Sequence, residues 1–210
     1  MSGREPTDAA PPVAEIAAAV RARLTGDRLA HVESVVETAR GIAAGGGWPA
    51  GVRAAAERAV WWHDGLKSDG PGAWRAAIRA AGEIPDPWAD AHGPGLLHAQ
   101  AAAVWAAGRG ETDPEVLSAV RHHPTGWPDW GPVGRILYVS DFAEPRRAHA
   151  GRVGAAALVA RAAEGAEGLA AAARDVLALR LAHLLESRRK VHPASLEAWN
   201  AWVGGSGAGE

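Results

Sequence analysis

The stretch Ala59-Val60-Trp61-Trp62-His63-Asp64-Gly65-Leu66-Lys67 places a histidine and an aspartate at the end of an apolar, alanine-rich segment. Burying a carboxylate beside an imidazole is costly unless something pairs with both groups. A divalent metal ion is an economical partner, because histidine nitrogen and aspartate oxygen are both good ligands for first-row metals. The doublet therefore predicts a metal site, provided that the rest of the chain supplies enough further ligands.

Composition narrows the classes of protein to consider. The 210 residues are 48% hydrophobic and 22% charged, which suits one soluble globular domain with a well-buried core. The formal net charge of -2 provides no basic field, so a nucleic-acid partner is not expected. The chain has no cysteine, which excludes disulfides, thiolate metal sites and cysteine nucleophiles. Histidine and aspartate remain as the candidate ligands.

Targeting signals are not apparent. The first dozen residues do not have the pattern of a signal peptide, and no window offers the roughly 20 apolar residues that a membrane-spanning helix needs. The sequence therefore predicts a cytoplasmic protein with no membrane partner.

Apolar periodicity predicts an all-α fold. Val13, Ile16, Val20 and Leu24 recur with helical spacing, and no segment alternates with period two for long enough to predict a strand. Further helices are predicted at about 27–45, 49–63, 73–81, 96–107, 114–123, 133–142, 151–163, 167–188 and from 193 onward. The segment 83–95 holds three prolines and is predicted to be irregular or a single turn. We expect one helical-bundle domain of about eight to ten helices over residues 13–203, between a disordered tail at 1–12 and a Gly-rich tail at 204–210.

Side chains with ligand chemistry recur among the apolar residues of five of these helices. They are His31, His63, Asp64, His98, His123 and Asp141. Three or four such groups could hold one ion, and six are enough for two, with Asp64 able to bridge through its two oxygens. Two ions about 3.5–4 Å apart are a common device for hydrolysing phosphate esters and anhydrides.

Each of these residues also has a simpler interpretation. A single histidine on an apolar helix face is more often a hydrogen-bonded core residue than a ligand, and Asp64 could face solvent at a helix end. His122 and His123 lie about 100° apart on a helix, so both are not expected to point at one site. The joint pattern favours a metal, because each buried polar group would otherwise need its own partner.

The ordered set of motifs resembles the HD-domain metal-dependent phosphohydrolases and, more narrowly, the YqeK family. The matching stretches are Arg28-Leu-Ala-His31, His63-Asp64-Gly-Leu-Lys67, Leu97-His98-Ala-Gln, Ala119-Val-Arg-His-His123-Pro-Thr-Gly126, Ile136-Leu-Tyr-Val-Ser-Asp141-Phe-Ala-Glu-Pro-Arg-Arg147 and Val191-His-Pro-Ala-Ser-Leu-Glu-Ala-Trp-Asn200. They keep the family's order over residues 20–203. The Trp61-Trp62 pair, Gly65-Leu66 and Pro124 depart from the family pattern, but none of these departures removes a ligand.

The resemblance implies a dinuclear metal centre. One metal would be held by His31, His63, Asp64 and Asp141, and the second by His98, His123 and the bridging Asp64. Two divalent ions are thus expected, with iron as the metal commonly reported for the family and Mn, Co, Ni or Zn as alternatives. The implied activity is symmetrical hydrolysis of diadenosine tetraphosphate to two ADP, and the resemblance leaves a homodimer open.

Hydrolysis at phosphorus also needs positive charge around the phosphate oxygens. Asp64, Lys67 and Arg147 are predicted to be catalytic, the last two through contacts with phosphate. The alternatives are a solvated surface lysine for Lys67 and an ion pair with Glu144 for Arg147.

Further contacts with substrate are predicted in two loops. Arg146, the Thr125 hydroxyl and the Gly126 amide are candidate phosphate ligands, in addition to Lys67 and Arg147. In the loop after Gly126, Trp127 and Trp130 could stack on an adenine ring, although packing as loop anchors is the favoured alternative. Four histidines correspond to no ligand of the family and are interpreted as surface or capping residues, namely His92, His149, His183 and His192.

Three functions are consistent with the sequence. The first is a dinucleoside polyphosphate hydrolase. The second is another HD-type phosphohydrolase, acting on a nucleoside monophosphate or a cyclic nucleotide. The third is a catalytically silent HD module that binds nucleotide as a sensor or scaffold, which the intact ligand set disfavours.

Overall fold

The structure, a computed structural model, describes residues 10–147 and 154–204. Within these ranges the regular structure is entirely helical, which confirms the all-α prediction. The α-helices are α1 Val13–Arg21, α2 Gly26–Gly45, α3 Ala50–His63, α4 Pro71–Ala80, α5 Pro87–His92, α6 Leu97–Ala107, α7 Pro114–His122, α8 Pro132–Ala143, α9 Ala155–Ala162, α10 Ala166–Glu186 and α11 Pro193–Gly204. No helix in the described part of the chain is long and apolar enough to cross a membrane.

The proline-rich segment 83–95 is more regular than its sequence predicts. It contains α5, and a 3-10 turn at Pro94–Leu96 joins α5 to α6. Helix α5 forms because the Asp86 carboxylate accepts the Ala89 N–H and Pro87 occupies the first turn. This short helix brings the described chain to eleven α-helices, above the eight to ten expected.

The predicted tails lie mostly outside the described residues. Of the segment 1–12, the structure describes only residues 10–12, and helix α1 begins directly afterwards at Val13. Helix α11 continues to Gly204, and residues 205–210 lie outside the described part. A single hydrophobic cluster extends from Ile16 in α1 to Trp202 in α11, which supports the proposed single domain over 13–203.

Helix α3 is the centre of the bundle and packs against α1, α2, α6, α7 and α8. Its last turns are buried all round, with Ala59, Val60, Trp61 and Trp62 each at most 3% exposed. Small alanine side chains allow the neighbouring helices to approach closely, while the two tryptophans fill the remaining volume. The helix ends at His63, so the His-Asp doublet lies at the deepest point of the bundle.

The glycine that follows the doublet is explained by a tryptophan in α6. A Cβ atom added at Gly65 would lie 2.5 Å from Cζ3 of Trp105, so a larger residue would displace that ring. Trp105 in turn meets Trp62 edge to face, with ring centroids 4.9 Å apart. Trp62 and Gly65, which are both unusual for the family, therefore pack against the same residue. Because Gly65 has no side chain, the Trp105 ring has room beside it and reaches Trp62.

A smaller hydrophobic cluster fixes the loop beyond the doublet. Leu66 is buried there with Trp74 and Ile78 of α4 and Leu97 of α6. The Trp74 indole N–H donates to the Leu66 carbonyl at 2.6 Å. This cluster ties the chain after Asp64 to the start of α6, where the next histidine lies.

Candidate metal centre

Five helices direct polar side chains into one buried region of the bundle. His31 projects from α2, His63 and Asp64 lie at the end of α3, His98 lies at the start of α6, His123 directly follows α7, and Asp141 lies in α8. All six are at most 9% exposed. The structure thus brings together all six residues that the sequence suggested as metal ligands.

The first group of possible ligand atoms is formed by His31, His63 and Asp141. Asp141 Oδ1 lies 3.3 Å from His31 Nε2 and 3.8 Å from His63 Nε2. Asp64 Oδ2 lies 3.9 Å and 4.0 Å from the same two nitrogens. Two imidazole nitrogens and two carboxylate oxygens therefore surround one point.

The second group is formed by Asp64, His98 and His123. Asp64 Oδ1 lies 3.2 Å from His98 Nε2 and 3.7 Å from His123 Nε2. The two Nε2 atoms are themselves 3.1 Å apart. Asp64 consequently faces both groups, with Oδ2 toward the first and Oδ1 toward the second, which is the arrangement that a bridging carboxylate requires.

The four histidines are oriented in the same way. Each directs Nδ1 toward an oxygen outside the cluster: His31 to Glu144 Oε1 at 3.0 Å, His63 to the Val60 carbonyl at 2.6 Å, His98 to the Gly95 carbonyl at 2.6 Å and His123 to the Val120 carbonyl at 2.9 Å. Because a carbonyl oxygen only accepts, Nδ1 of the last three must carry the proton. The Nε2 lone pairs are then free to point inward, as is typical of metal-binding histidines.

Unsatisfied lone pairs indicate that a cation fits this cluster. His63 Nε2 is buried and has no hydrogen-bond partner among the described residues. The Nε2 atoms of His98 and His123 face each other at 3.1 Å, and Lys67 Nζ lies 2.9 Å from that of His98, so this point of the cluster favours a positive charge. Burial lowers the pKa of His63 and that of His123, so both imidazoles stay neutral and available as ligands. The donor set of imidazole nitrogen and carboxylate oxygen suits a divalent first-row metal.

Both aspartates are ionised despite their burial. Burial opposes the charge of Asp141, but the hydrogen bond with His31 and the charges of Arg147 and Arg180 hold the pKa of its carboxyl well below the usual range. The neighbouring histidines and Lys67 do the same for the pKa of Asp64, again against the effect of burial. Both carboxylates are therefore ready to bind a cation at neutral pH.

Four cationic side chains lie around the cluster. Arg28 Nη1 is 3.2 Å from Asp64 Oδ2, Lys67 Nζ is 3.9 Å from Asp64 Oδ1, Arg180 Nη2 is 3.0 Å from Asp141 Oδ2, and Arg147 pairs with Asp141. The side chain of Arg147 pairs with Asp141 rather than with Glu144. The Glu144 carboxylate instead accepts from His31 and from the Arg146 N–H. The surroundings of the cluster are thus arranged for an anionic ligand.

The cluster forms the floor of a cleft of about 1230 Å³. Lys67, Thr125 and Arg147 line it, as predicted for residues that contact substrate. Arg146 and Gly126 are not part of its lining. Arg146 extends to the surface near Asp27, 4.0 Å away, and the Gly126 N–H donates to the His122 carbonyl at 2.9 Å. These two positions give no support to the predicted phosphate contacts.

The paired histidines after α7 diverge as their helical spacing predicts. His123 faces Asp64, whereas the ring of His122 stacks on Trp127 with centroids 4.1 Å apart. Burial lowers the pKa of His122 to about 4. Trp130 is 3% exposed, and its indole N–H donates to Ser118 Oγ at 3.3 Å. Both tryptophans therefore pack as loop anchors rather than as a platform for adenine.

Three contributors to the site were not assigned a role from the sequence. Arg28 and Glu144 lie within the matched motifs, and their proximity to His31 and Asp141 in the sequence could have indicated a role in the site. Arg180 lies in the middle of α10, and nothing in the local sequence distinguishes it from a surface arginine. Only packing of α10 on α8 brings it to Asp141, where it also donates to the Pro124 carbonyl at 3.2 Å.

Comparison with solved structures identifies the fold. The crystal structure of a predicted HD superfamily hydrolase involved in NAD metabolism from Clostridium acetobutylicum matches 94% of this chain and all of that chain, with a TM-score of 0.80 and 22% sequence identity. The chain has the HD-superfamily hydrolase fold. The resemblance inferred from the ordered motifs is confirmed for the fold.

Sequence comparison gives a shorter match. A stretch of 61 residues is 36% identical to the symmetrical bis(5'-nucleosyl)-tetraphosphatase of Bacillus subtilis (strain 168). The match covers 29% of this chain and 33% of that protein, so the chain aligns with about a third of the relative's length. No protein-family model matches the chain.

The Glu144 carboxylate provides a test of the first ligand group. It orients His31 through Nδ1, so Glu144→Ala is expected to weaken binding of Mn²⁺ by about 10- to 100-fold, the usual cost of losing such an outer partner. Glu144→Gln should retain most of the affinity, because an amide oxygen still accepts from Nδ1–H. Calorimetric titration of metal-free protein measures both. Equal affinity of Glu144→Ala and wild type would exclude this orienting role.

Proposed function

We propose that this protein is a metal-dependent phosphohydrolase that cleaves phosphoanhydride bonds of dinucleoside polyphosphates, with diadenosine tetraphosphate and its two ADP products as the first candidate. The observation that carries this proposal is the position of Asp64, whose two oxygens face two separate ligand groups at the floor of a cationic cleft. The match to the symmetrical bis(5'-nucleosyl)-tetraphosphatase of Bacillus subtilis supports the choice of substrate.

The metals would be held by the six residues that converge on Asp64. One divalent ion is assigned to His31, His63, Asp141 and Asp64 Oδ2, and a second to His98, His123 and Asp64 Oδ1. When bound, such ions supply charge stabilisation at phosphate oxygens and make water a better nucleophile. Iron is the first candidate on the family resemblance, and the ligands equally accept Mn, Co, Ni or Zn.

The chain's own cations would bind and orient the polyphosphate. Lys67, Arg147 and Arg180 all line the cleft and lie beside the two carboxylates of the cluster. A substrate phosphate bound there would accept charge-assisted hydrogen bonds from Arg147 and Arg180. These bonds would replace part of the contact that each arginine makes with Asp141. Thr125 lines the same wall, and its hydroxyl could donate to a phosphate in place of its bond to the His122 carbonyl at 3.2 Å. Fixed positive charges of this kind favour the transition state of phosphoryl transfer.

Two alternatives remain as outcomes of the same assay. Another HD-type activity would convert a nucleoside monophosphate to nucleoside, or a cyclic nucleotide to a linear one. A silent module would bind metal and nucleotide without turnover. The proposed cytoplasmic location and a homodimer rest on the sequence and on the resemblance alone.

Product analysis decides between these functions. Purified protein loaded with Fe²⁺ or Mn²⁺ would be incubated in ¹⁸O-labelled water with diadenosine tetraphosphate, NAD⁺, AMP or cyclic AMP. The proposal predicts two ADP from the first substrate, one of them labelled, and no product after removal of metal with a chelator. ATP with AMP, or turnover of AMP or cyclic AMP alone, would contradict it.

A further inference from the structure

The cleft extends beyond the metal cluster to a second group of side chains. One wall follows the chain backward from His98 through the turn at 93–96 to Trp88 and His92 of α5. The opposite wall follows α10 and its continuation from Arg180 to Lys190. Arg180 contacts Asp141 at one end, whereas Lys190 Nζ lies 3.0 Å from His92 Nδ1 at the other. The two walls therefore lead from the metal cluster to a separate outer end.

The two ends of the cleft are well separated. Helix α10 rises about 1.5 Å per residue, so the distance from Arg180 to Glu186, six residues further on, is about 9 Å along the cleft. The connection that carries Lys190 lies beyond that. The cleft volume of about 1230 Å³ also exceeds the roughly 300–1000 Å³ typical of small-molecule sites. A ligand anchored by phosphate at the metals can therefore extend toward the outer end.

The outer end is aromatic. Trp88 is partly buried and lines the cleft, and its ring meets His192 at a centroid distance of 4.7 Å and His92 at 5.3 Å. His192 is itself held in place, because Nδ1 accepts the Ala194 N–H at 3.1 Å and Nε2 lies 3.3 Å from Asp86 Oδ2. The indole is thus fixed before any ligand arrives, which reduces the entropy lost on binding.

The outer end is also basic. Arg189 and Lys190 line it, immediately after Arg188, which adopts a left-handed backbone conformation with φ of 52°. This conformation is unfavourable for a residue with a side chain. It ends α10 with the Arg189 N–H donating to the Leu184 carbonyl at 2.8 Å, and so turns the two following cations toward the cleft. An aromatic ring flanked by cations suits a nucleobase joined to phosphate.

We propose that Trp88, supported by His192 and accompanied by Arg189 and Lys190, forms an outer subsite for a nucleoside of a dinucleoside polyphosphate whose phosphates lie at the metal cluster. Trp88 then determines the preference for nucleoside polyphosphates over inorganic polyphosphate, because only a ligand that carries a nucleoside reaches both the metal cluster and the indole. This subsite rests on the proposed function for its role in turnover, but its ligand preference is measurable by binding alone.

The test compares two ligands of equal phosphate length. A methylene-bridged, non-hydrolysable analogue of diadenosine tetraphosphate carries nucleosides, and inorganic tetraphosphate carries none. Calorimetry on the metal-loaded full chain would give the Kd of each for wild type, Trp88→Phe and Trp88→Ala. Trp88→Ala is expected to weaken binding of the dinucleotide analogue by about 10- to 100-fold, the cost of losing one stacked base, and to leave inorganic tetraphosphate within about twofold. Trp88→Phe should retain most of the dinucleotide affinity.

A second tryptophan provides the matched control. Trp48 is also partly buried but lies between α2 and α3, outside the cleft, so Trp48→Ala should leave both Kd values unchanged. Equal weakening of both ligands by Trp88→Ala would assign the indole a structural role only, and no weakening of either would exclude the subsite. If wild type binds the analogue through Trp88 but hydrolyses no dinucleotide, the proposed function fails while the subsite stands.

Where hydrolysis occurs, steady-state kinetics gives an independent measurement. Trp88→Ala should raise KM for diadenosine tetraphosphate by a similar factor and leave kcat and metal content close to those of wild type. A fall in kcat with unchanged KM would contradict a role in binding a nucleoside.

Discussion

Replacing Asp64 by asparagine is expected to lower hydrolysis of diadenosine tetraphosphate by about 1000-fold or more, equivalent to ~4 kcal/mol of transition-state stabilisation. The substitution keeps the shape of the side chain but removes the negative charge that both ligand groups share. Oδ1 faces His98 and His123, and Oδ2 faces His31 and His63, so one substitution affects both proposed metals. Bound metal, measured by mass spectrometry, should fall from about two ions per chain to one or none.

A nearby aspartate controls for the loss of a carboxylate as such. Asp69 pairs at 2.6 Å with Arg23 in a partly exposed ion pair and is not part of the cleft lining. Asp69→Asn should therefore retain wild-type metal content and activity within about twofold, because exposed pairs contribute little to stability. Melting temperatures measured in chelator would show whether each variant is folded. Full metal content and activity in folded Asp64→Asn would refute the dinuclear centre.

The second large effect is expected outside the cleft lining, where Arg58 pairs with a buried carboxylate. Its Nε donates to Glu111 at 2.9 Å and its Nη2 to Asp113 at 3.0 Å, while Glu111 is 1% exposed. Arg58→Ala leaves that carboxylate without its cation, which is expected to cost about 3–5 kcal/mol of the free energy of unfolding. Each kcal/mol changes the melting temperature of a chain of this size by roughly 2–4 °C, so the melting temperature should fall by about 6–20 °C.

A double variant separates the effect of the unpaired Glu111 charge from the loss of packing at Arg58. Glu111→Gln introduced into Arg58→Ala removes the buried charge and should recover part of the lost stability, because a neutral amide can still accept from the Trp62 indole. Arg161 is a surface control. Its pair with Asp175 is about half exposed on both sides, so Arg161→Ala should change stability by less than ~1 kcal/mol. Equal melting temperatures of Arg58→Ala and Arg161→Ala would show that the buried pair is not stabilising.

Helix positions followed from the sequence wherever apolar periodicity and helix-ending residues agreed. Helix α7 illustrates this, since the Asp113-Pro114 pair predicts its start, and the Asp113 carboxylate accepts the N–H groups of Glu115 and Val116. Segment 83–95 deviated because its three prolines obscured a single capping aspartate, Asp86, that supports six residues of helix. At this segment the hydrogen bond of the Asp86 cap stabilised a helix despite the high proline content.

The six candidate ligands could be selected from the sequence because buried polar groups in an apolar setting need partners. What the sequence could not give is which oxygen faces which nitrogen. The two faces of Asp64 and the orientation of four imidazoles by Val60, Gly95, Val120 and Glu144 depend on how helix ends meet, which one-dimensional spacing does not encode.

Apolar periodicity in the sequence determined the all-α fold by itself, and the His63-Asp64 doublet, together with the ordered histidines and Asp141, determined the candidate ligand set. Those features are local: periodicity, caps and polar residues within apolar runs. The tertiary structure alone decided which side chains from distant parts of the chain meet. It brought Arg180 to Asp141 and Lys190 to His92, turned Arg146 away, and closed Gly65 against Trp105. Contacts between residues distant in the chain depend on the packing of whole helices, and no local pattern reports them.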